Sequence, residues 1–213
     1  LTPRVISCAE ELPQHVALPR GCRTDLEDLL HGLGVALDVV DERVSGEPHV
    51  LPFLGTLTPV QDQAARALLA SDCGVLVAPP GVGKTVIGIY MVAARACSTL
   101  VLVHRKPLLD QWRAQLAVFL GVDAKEIGQI GAEKRSPTGR IDVAMIQSLA
   151  RKESVADLLA GYGQVIVDEC HHLPAVSFER APASATARYV VGLTATPHRR
   201  DGRHPITQSR LGP

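Results

Sequence analysis

Aromatic side chains are scarce. Three phenylalanines, three tyrosines and one tryptophan make up 3% of 213 residues, while apolar residues together reach 46%. A sizeable core is therefore available, but aliphatic Val, Leu, Ile and Ala must fill it. Neither sign of charge is in excess: Lys+Arg and Asp+Glu are both 22. That excludes a generally basic nucleic-acid coat but leaves room for a local basic strip. The five cysteines are an odd number and contain no C-x-x-C. This argues against a disulfide framework and a zinc knuckle, and suits a reducing, cytoplasmic compartment. No apolar run reaches the length of a membrane span, and no basic-then-apolar leader is visible. No membrane partner is expected. The chain begins at Leu1 rather than Met, so it reads as a fragment or processed chain with upstream targeting left open. Its length suits one large domain, or one domain plus a small appendage.

What is present centres on residues 75–85. Val75-Leu76-Val77-Ala78 is an apolar run, Pro79-Pro80-Gly81-Val82 a turn, and Gly83-Lys84-Thr85 opens an apolar helical stretch. Strand, loop and helix in that order are the context of a phosphate-binding loop. The pattern is G-x-x-x-x-G-K-[ST], with Ala78 in place of the first glycine. Gly81 and Gly83 permit the tight turn that brings backbone N–H groups to phosphate oxygens. The helix N-terminus adds partial positive charge. Lys84 can reach the β- and γ-phosphates of a nucleotide, and the Thr85 hydroxyl can take one Mg²⁺ position. The alternative is an ordinary glycine-rich turn with Lys84 facing water.

Residues 1–50 read as a small α/β appendage with a positioning role. The weak strand 4–8 precedes a turn at 18–21. A helix capped by Thr24 or Asp25 carries Leu26, Leu29, Leu30 and Leu33 on one face. Residues 35–40 read as a strand and 45–48 as a linker. At Thr58-Pro59-Val60-Gln61 a second helix begins, with Thr58 as cap, Pro59 at the first position and Gln61 completing a capping box. The Gln61 amide can also donate to and accept from an adenine ring; one residue can serve both purposes.

Downstream, 99–104 is a fully apolar strand. Arg105-Lys106-Pro107 caps a helix whose buried face is Leu108, Leu109, Trp112, Leu116 and Phe119. Trp112 is read as core. Arg105 and Lys106 fall at a strand's carboxyl end, where ligands gather in open parallel sheets, or are simply a solvated pair. A strand candidate at 126–130 leads into a polar, basic loop at 131–140. Strand 141–146 ends at Gln147-Ser148, and Ser154 caps a short helix. Strand 164–167 runs into Asp168-Glu169-Cys170-His171-His172. There Asp168 can hold a metal ion, and Glu169 can orient and deprotonate an attacking water. Cys170, His171 and His172 are adjacent and cannot converge on one tetrahedral ion, so zinc is rejected. The last strand, 188–193, ends in Thr194-Ala195-Thr196-Pro197, whose hydroxyls could contact Glu169 or His171. A basic cluster follows: His198, Arg199, Arg200, Arg203 and His204. It could touch phosphate backbone or be plain solvated surface.

Strands that each end in polar chemistry point to an α/β fold with a doubly wound, mostly parallel sheet. The stretches 78–85, 168–172 and 194–196 resemble motifs I, II and III of superfamily 2 helicases. Residues 102–105 through Gln111-Trp112 resemble motif Ia, and 145–149 the next nucleic-acid motif. The DECHH form and the run Gly192-Leu193-Thr194-Ala195-Thr196-Pro197 are similar to DEAD/DEAH-box relatives of the XPB-like and type III restriction translocase group. The resemblance covers about residues 51–201. It implies a RecA-like ATP-binding domain over 51–213 that uses ATP and Mg²⁺ and acts as the motor half of a DNA helicase or translocase. Gln61 and residues Pro79, Pro80, Gly81, Val82, Gly83, Lys84 and Thr85 would bind nucleotide; Thr85 and Asp168 would hold Mg²⁺. Glu169, Asp168 and Lys84 would be catalytic. Thr194, Thr196 and His171 would couple hydrolysis to movement. Arg105, Lys106, Gln147 and Ser148 would contact nucleic acid. A second RecA-like domain of the parent chain, with its arginine finger, is the expected partner, so the 213-residue chain is expected to bind Mg·ATP and hydrolyse it slowly. Two departures stand out: Thr58 replaces an arginine, and Pro182 interrupts an expected helix. A nucleotide-gated interaction module without unwinding activity is the other class. A catalytic Glu169 favours the motor.

Overall fold

A computed structural model describes residues 10–18, 22–149, 160–170 and 186–195. The chain opens with a hairpin of β1 (Glu10–Leu12) and β2 (His15–Ala17), then helix α1 (Arg23–Gly32). Cys22, not Thr24 or Asp25, occupies the N-cap of α1, and no side chain caps it. Asp25 instead lies within the first turn, where its charge suits the helix dipole. Leu29 and Leu33 stay exposed while Leu26 and Leu30 are half-buried, so the apolar face of α1 is only partly covered. Residues 35–40, expected as a strand, form none. A strand must find a partner for its backbone N–H and C=O groups, and no described strand pairs with this stretch.

Helix α2 (Pro59–Leu69) begins as expected. The Thr58 hydroxyl accepts from the Gln61 backbone N–H at 3.3 Å, and Gln61 Oε1 accepts from the Thr58 N–H at 3.0 Å. The sheet then builds from β3 (Cys73–Val77), α3 (Lys84–Arg95), β4 (Thr99–Val103), α4 (Lys106–Leu120), β5 (Gly128–Gly131), β6 (Lys134–Ser136), β7 (Ile141–Met145), α5 (Ile146–Leu149), β8 (Gln164–Asp168) and β9 (Tyr189–Thr194). The seven strands lie in the order β3-β9-β8-β4-β7-β5-β6. Every neighbouring pair is parallel except β5 and β6. This is the α/β, mostly parallel sheet that the apolar runs imply.

Interior parallel strands are covered on both faces, so they need apolar residues at every position rather than at alternate ones. β4 and β8 are buried along their whole length. From β4, Val101 and Val103 face the helices, where they meet Ile87 and Met91 of α3 and Leu109, Trp112 and Leu116 of α4. Leu100 and Leu102 face the other way, beside Val165, Val167 and Ala144 of the neighbouring strands. Two aliphatic cores thus clamp the sheet between them.

Residues 131–140 are not a plain loop. β5 and β6 form a hairpin in which Gly131 pairs with Lys134. Ala132 and Glu133 both have positive φ, 51° and 71°, as a two-residue turn matching strand twist requires. Neither is a typical residue for that turn, which hid the hairpin. β6 is an exposed edge strand, and its Lys134 and Arg135 guard it against pairing with another chain. Residues 45–48, read as a linker, lie with their neighbour Val44 against the amino edge of the sheet. Val44 pairs with Ala187 and Pro48 with Cys97, and the Ser98 N–H donates to Glu47 O at 2.8 Å.

Candidate functional site

The turn after β3 is shaped by two glycines in the left-handed region, Gly81 at φ 88° and Gly83 at φ 86°. Gly83 caps α3. A Cβ there would also meet Gln61 Nε2 at 2.6 Å, so both backbone and space call for glycine. That space is used: Gln61 Nε2 donates to Val82 O at 2.8 Å. Both ends of the Gln61 amide are therefore engaged, one on the helix cap and one on the loop. Lys84 folds back across the same loop, with Nζ donating to Ala78 O at 2.9 Å. The loop presents a lysine, a helix N-terminus and a left-handed backbone to whatever anion enters.

Parallel register fixes the neighbours of this loop. Val77 lies opposite Thr194, and Leu193 lies opposite Asp168. β9 thus separates the strand that launches the loop from the strand that ends in acids. At spacings of about 4.8 Å, β3 and β8 are roughly 10 Å apart. The Ala78 N–H donates to Thr194 O at 3.0 Å, tying the loop to β9.

Asp168 closes β8 and is 5% exposed. Burial pushes its carboxyl above the ordinary carboxylate range, and the adjacent Glu169 charge adds to that. A hydrogen bond from Trp112, the Glu169 backbone N–H and the Lys84 ammonium act in the opposite direction. Glu169 has φ 48°, a left-handed conformation unusual for a residue with a Cβ and characteristic of functional turns. Two adjacent carboxyls that repel one another at a buried strand end, beside a hydroxyl-bearing loop, are an oxygen donor set. Such a set fits a hard divalent cation. Among the described residues no group of three or more His, Cys, Asp or Glu gathers as a metal site.

Trp112 Nε1 donates to Asp168 Oδ2 at 2.7 Å. The tryptophan is core, fully buried as expected, but its contact with the acid was not foreseen. A signal for it existed: a buried indole N–H must find an acceptor. Gly88 of α3 was missed as well. A Cβ there would meet the Trp112 ring at 2.6 Å.

The remaining residues fall at or near the same carboxyl edge. Arg105 is the N-cap of α4 but makes no side-chain cap, since a guanidinium cannot accept from the helix N–H groups. Arg105 and Lys106 are exposed. Gln147, exposed at the start of α5, donates to His104 O at 2.8 Å and so ties the tips of β4 and β7 together. Ser148 sits beside Gly131. Thr196 and His171 lie outside the described residues. So do the strand at 4–8, the helix capped by Ser154, Pro182 and the cluster from His198 to His204. A separate cavity of about 280 Å³, lined by His49, Leu51, Ile127, Arg140 and Ile141, opens near the start of β7, at the opposite end of the strands.

Fold and site together define a P-loop domain of the RecA-like kind. Residues 54–199 match the family described as "Type III restriction enzyme, res subunit". The chain is 35% identical over 169 residues to a putative DNA 3'-5' helicase Rad25 of Halobacterium salinarum, covering 79% of this chain and 28% of that protein. It is 32% identical over 209 residues to a DNA 3'-5' helicase XPB of Kineococcus radiotolerans, covering 94% of this chain and 37% of that one. The crystal structure of the UvsW helicase from bacteriophage T4 superposes with a TM-score of 0.72 at 14% identity, covering 94% of this chain and 78% of that chain. The chain belongs to the type III restriction enzyme res-subunit family, as a first RecA-like domain of its XPB-like superfamily 2 branch. It spans about a third of the length of these two curated relatives.

Proposed function

We propose that residues 51–213 are the ATP-binding motor half of a DNA helicase or translocase, with residues 1–50 as a small appendage. The observation that carries this reading is one shared edge. The loop after β3 and the acids after β8 open on the same side of the sheet, one strand apart, with the Lys84 charge acting on Asp168. Relatives named as DNA 3'-5' helicases support DNA as the nucleic acid.

In this reading Gly81, Val82, Gly83 and Lys84 hold the phosphates, with Pro79 and Pro80 stiffening the approach, and Gln61 reads adenine. For that, the Gln61 amide must exchange its bond to Val82 O for the base. Lys84 must likewise leave Ala78 O, and the incoming γ-phosphate offers it a charged acceptor in place of a carbonyl. Thr85 and Asp168 would hold Mg²⁺, which would supply positive charge against the charge developing on the phosphates. Glu169 takes the proton of the attacking water. Its left-handed turn allows two successive residues to face one site rather than opposite faces of β8. Thr194, bonded to the loop through its backbone, and Thr196 and His171 beyond it would relay the nucleotide state. Arg105, Lys106, Gln147 and Ser148 would meet the DNA backbone, and a second RecA-like domain would complete the cleft.

Nucleotide affinity measured with and without DNA tests this. A motor binds its nucleotide more tightly or more weakly when DNA is present, whereas an affinity indifferent to DNA removes the motor reading. Glu169 disfavours a pure nucleotide-gated module, which has little use for a water-activating acid.

A further inference from the structure

We propose that Trp112 is a positioning residue for Asp168: its indole N–H, threaded over Gly88, fixes the carboxylate that would hold the metal. This rests on the Mg·ATP reading of the site. The bond runs from Nε1 to Oδ2 at 2.7 Å between two buried side chains. The other oxygen, Oδ1, accepts the Glu169 backbone N–H at 3.0 Å. Each oxygen thus has one internal donor and keeps a lone pair for an outside ligand. The carboxylate cannot rotate without breaking one of the two bonds. Outer hydrogen bonds of this kind orient a metal ligand and tune its affinity.

The packing around the indole indicates that its placement is specific. Gly88 lies in the middle of α3, where a glycine disfavours the helix. A Cβ at that position would meet Trp112 Cη2 at 2.6 Å and Leu193 Cδ1 at 3.2 Å. The missing side chain is what lets the ring lie flat enough to reach the end of β8. Leu109, Leu116 and Leu120 hold the rest of the buried face of α4, so burial on this face does not by itself call for a hydrogen-bond donor at position 112. The indole fills that position and also presents a donor to Asp168.

Trp112 is the only tryptophan of the chain, so its emission reports on this one contact. The test is a Mg²⁺ titration of the chain with a fluorescent ATP analogue, alongside Trp112→Phe and Gly88→Ala. Trp112→Phe should leave Mg²⁺-free affinity within about twofold and raise the half-saturating Mg²⁺ concentration about tenfold. Gly88→Ala, which keeps the indole but displaces it, should raise the Mg²⁺ requirement in the same direction. In the unmodified, nucleotide-loaded chain, adding Mg²⁺ should shift the tryptophan emission. An unaltered Mg²⁺ requirement in the folded variants, or an emission indifferent to Mg²⁺ while affinity responds to it, overturns the positioning role alone. Should the unmodified chain gain no affinity from Mg²⁺, the Mg·ATP reading falls and the positioning role with it.

Discussion

Gln61 Nε2 donates to the Val82 carbonyl across 21 residues of chain, while Oε1 of the same amide accepts the Thr58 N–H. One side chain therefore ties the start of α2 to the phosphate loop. Gln61→Glu separates the two tasks. The carboxylate still accepts from Thr58 but has no N–H for Val82. Thermal stability should hold within a few degrees, while affinity for an ATP analogue falls about fivefold, the value of one hydrogen bond. Gln61→Ala loses both contacts and should add about 1 kcal/mol of destabilisation. Calorimetry and a binding titration on the two variants separate these effects.

Glu169→Gln should abolish turnover while sparing binding. The amide keeps the size of the side chain and the backbone turn at φ 48° but cannot take a proton. Steady-state hydrolysis should drop about 100-fold or more, since a positioned base contributes 10²–10⁴. Analogue affinity should be unchanged. A variant that hydrolyses ATP at the unmodified rate would remove Glu169 from the mechanism.

Asp142 holds the fold rather than the site. It is fully buried and accepts from the Thr138 N–H at 2.8 Å, the Thr138 hydroxyl at 2.9 Å, the Gly139 N–H at 2.8 Å and the Tyr162 hydroxyl. Burial and this last bond hold the Tyr162 phenol far above its ordinary range. Asp142→Ala strands these donors and should cost about 3 kcal/mol, which lowers the melting temperature of a domain this size by roughly 6–12 °C. Nucleotide affinity of the folded protein should not move.

Much of this architecture is visible in the residues, because parallel strands buried on both faces must be continuous apolar runs. The runs at 75–78, 99–103 and 164–167 could hardly be anything else. The Thr58 capping box is equally legible, because its atoms lie within one helical turn. What stayed hidden depends on distant chain. The β5–β6 hairpin turns on Ala132 and Glu133, which carry no turn signal. The bond from Trp112 to Asp168 spans 56 residues and exists only once α4 lies on β8. The same holds for the reach of Gln61 to Val82. Residues 35–40 misled because apolar composition alone does not supply a neighbouring strand.

Arg105 and Lys106 stand exposed where α4 begins. Replacing both with alanine should weaken DNA binding and reduce the slope of log affinity against log salt by about 2, since each phosphate contact contributes about 0.9. Nucleotide affinity without DNA should stay the same. Fluorescence anisotropy of labelled DNA over a salt series measures this. An unchanged slope would place the DNA elsewhere.

The most direct measurement is a titration of the chain with a fluorescent ATP analogue and Mg²⁺, with Lys84→Ala beside it. Lys84 turns back onto Ala78 O within the loop, where its ammonium can meet a phosphate. Its loss removes a charge-assisted bond and should weaken binding by at least about tenfold at unchanged melting temperature. Equal binding by both proteins, or none by the unmodified chain, would contradict a phosphate site at this loop.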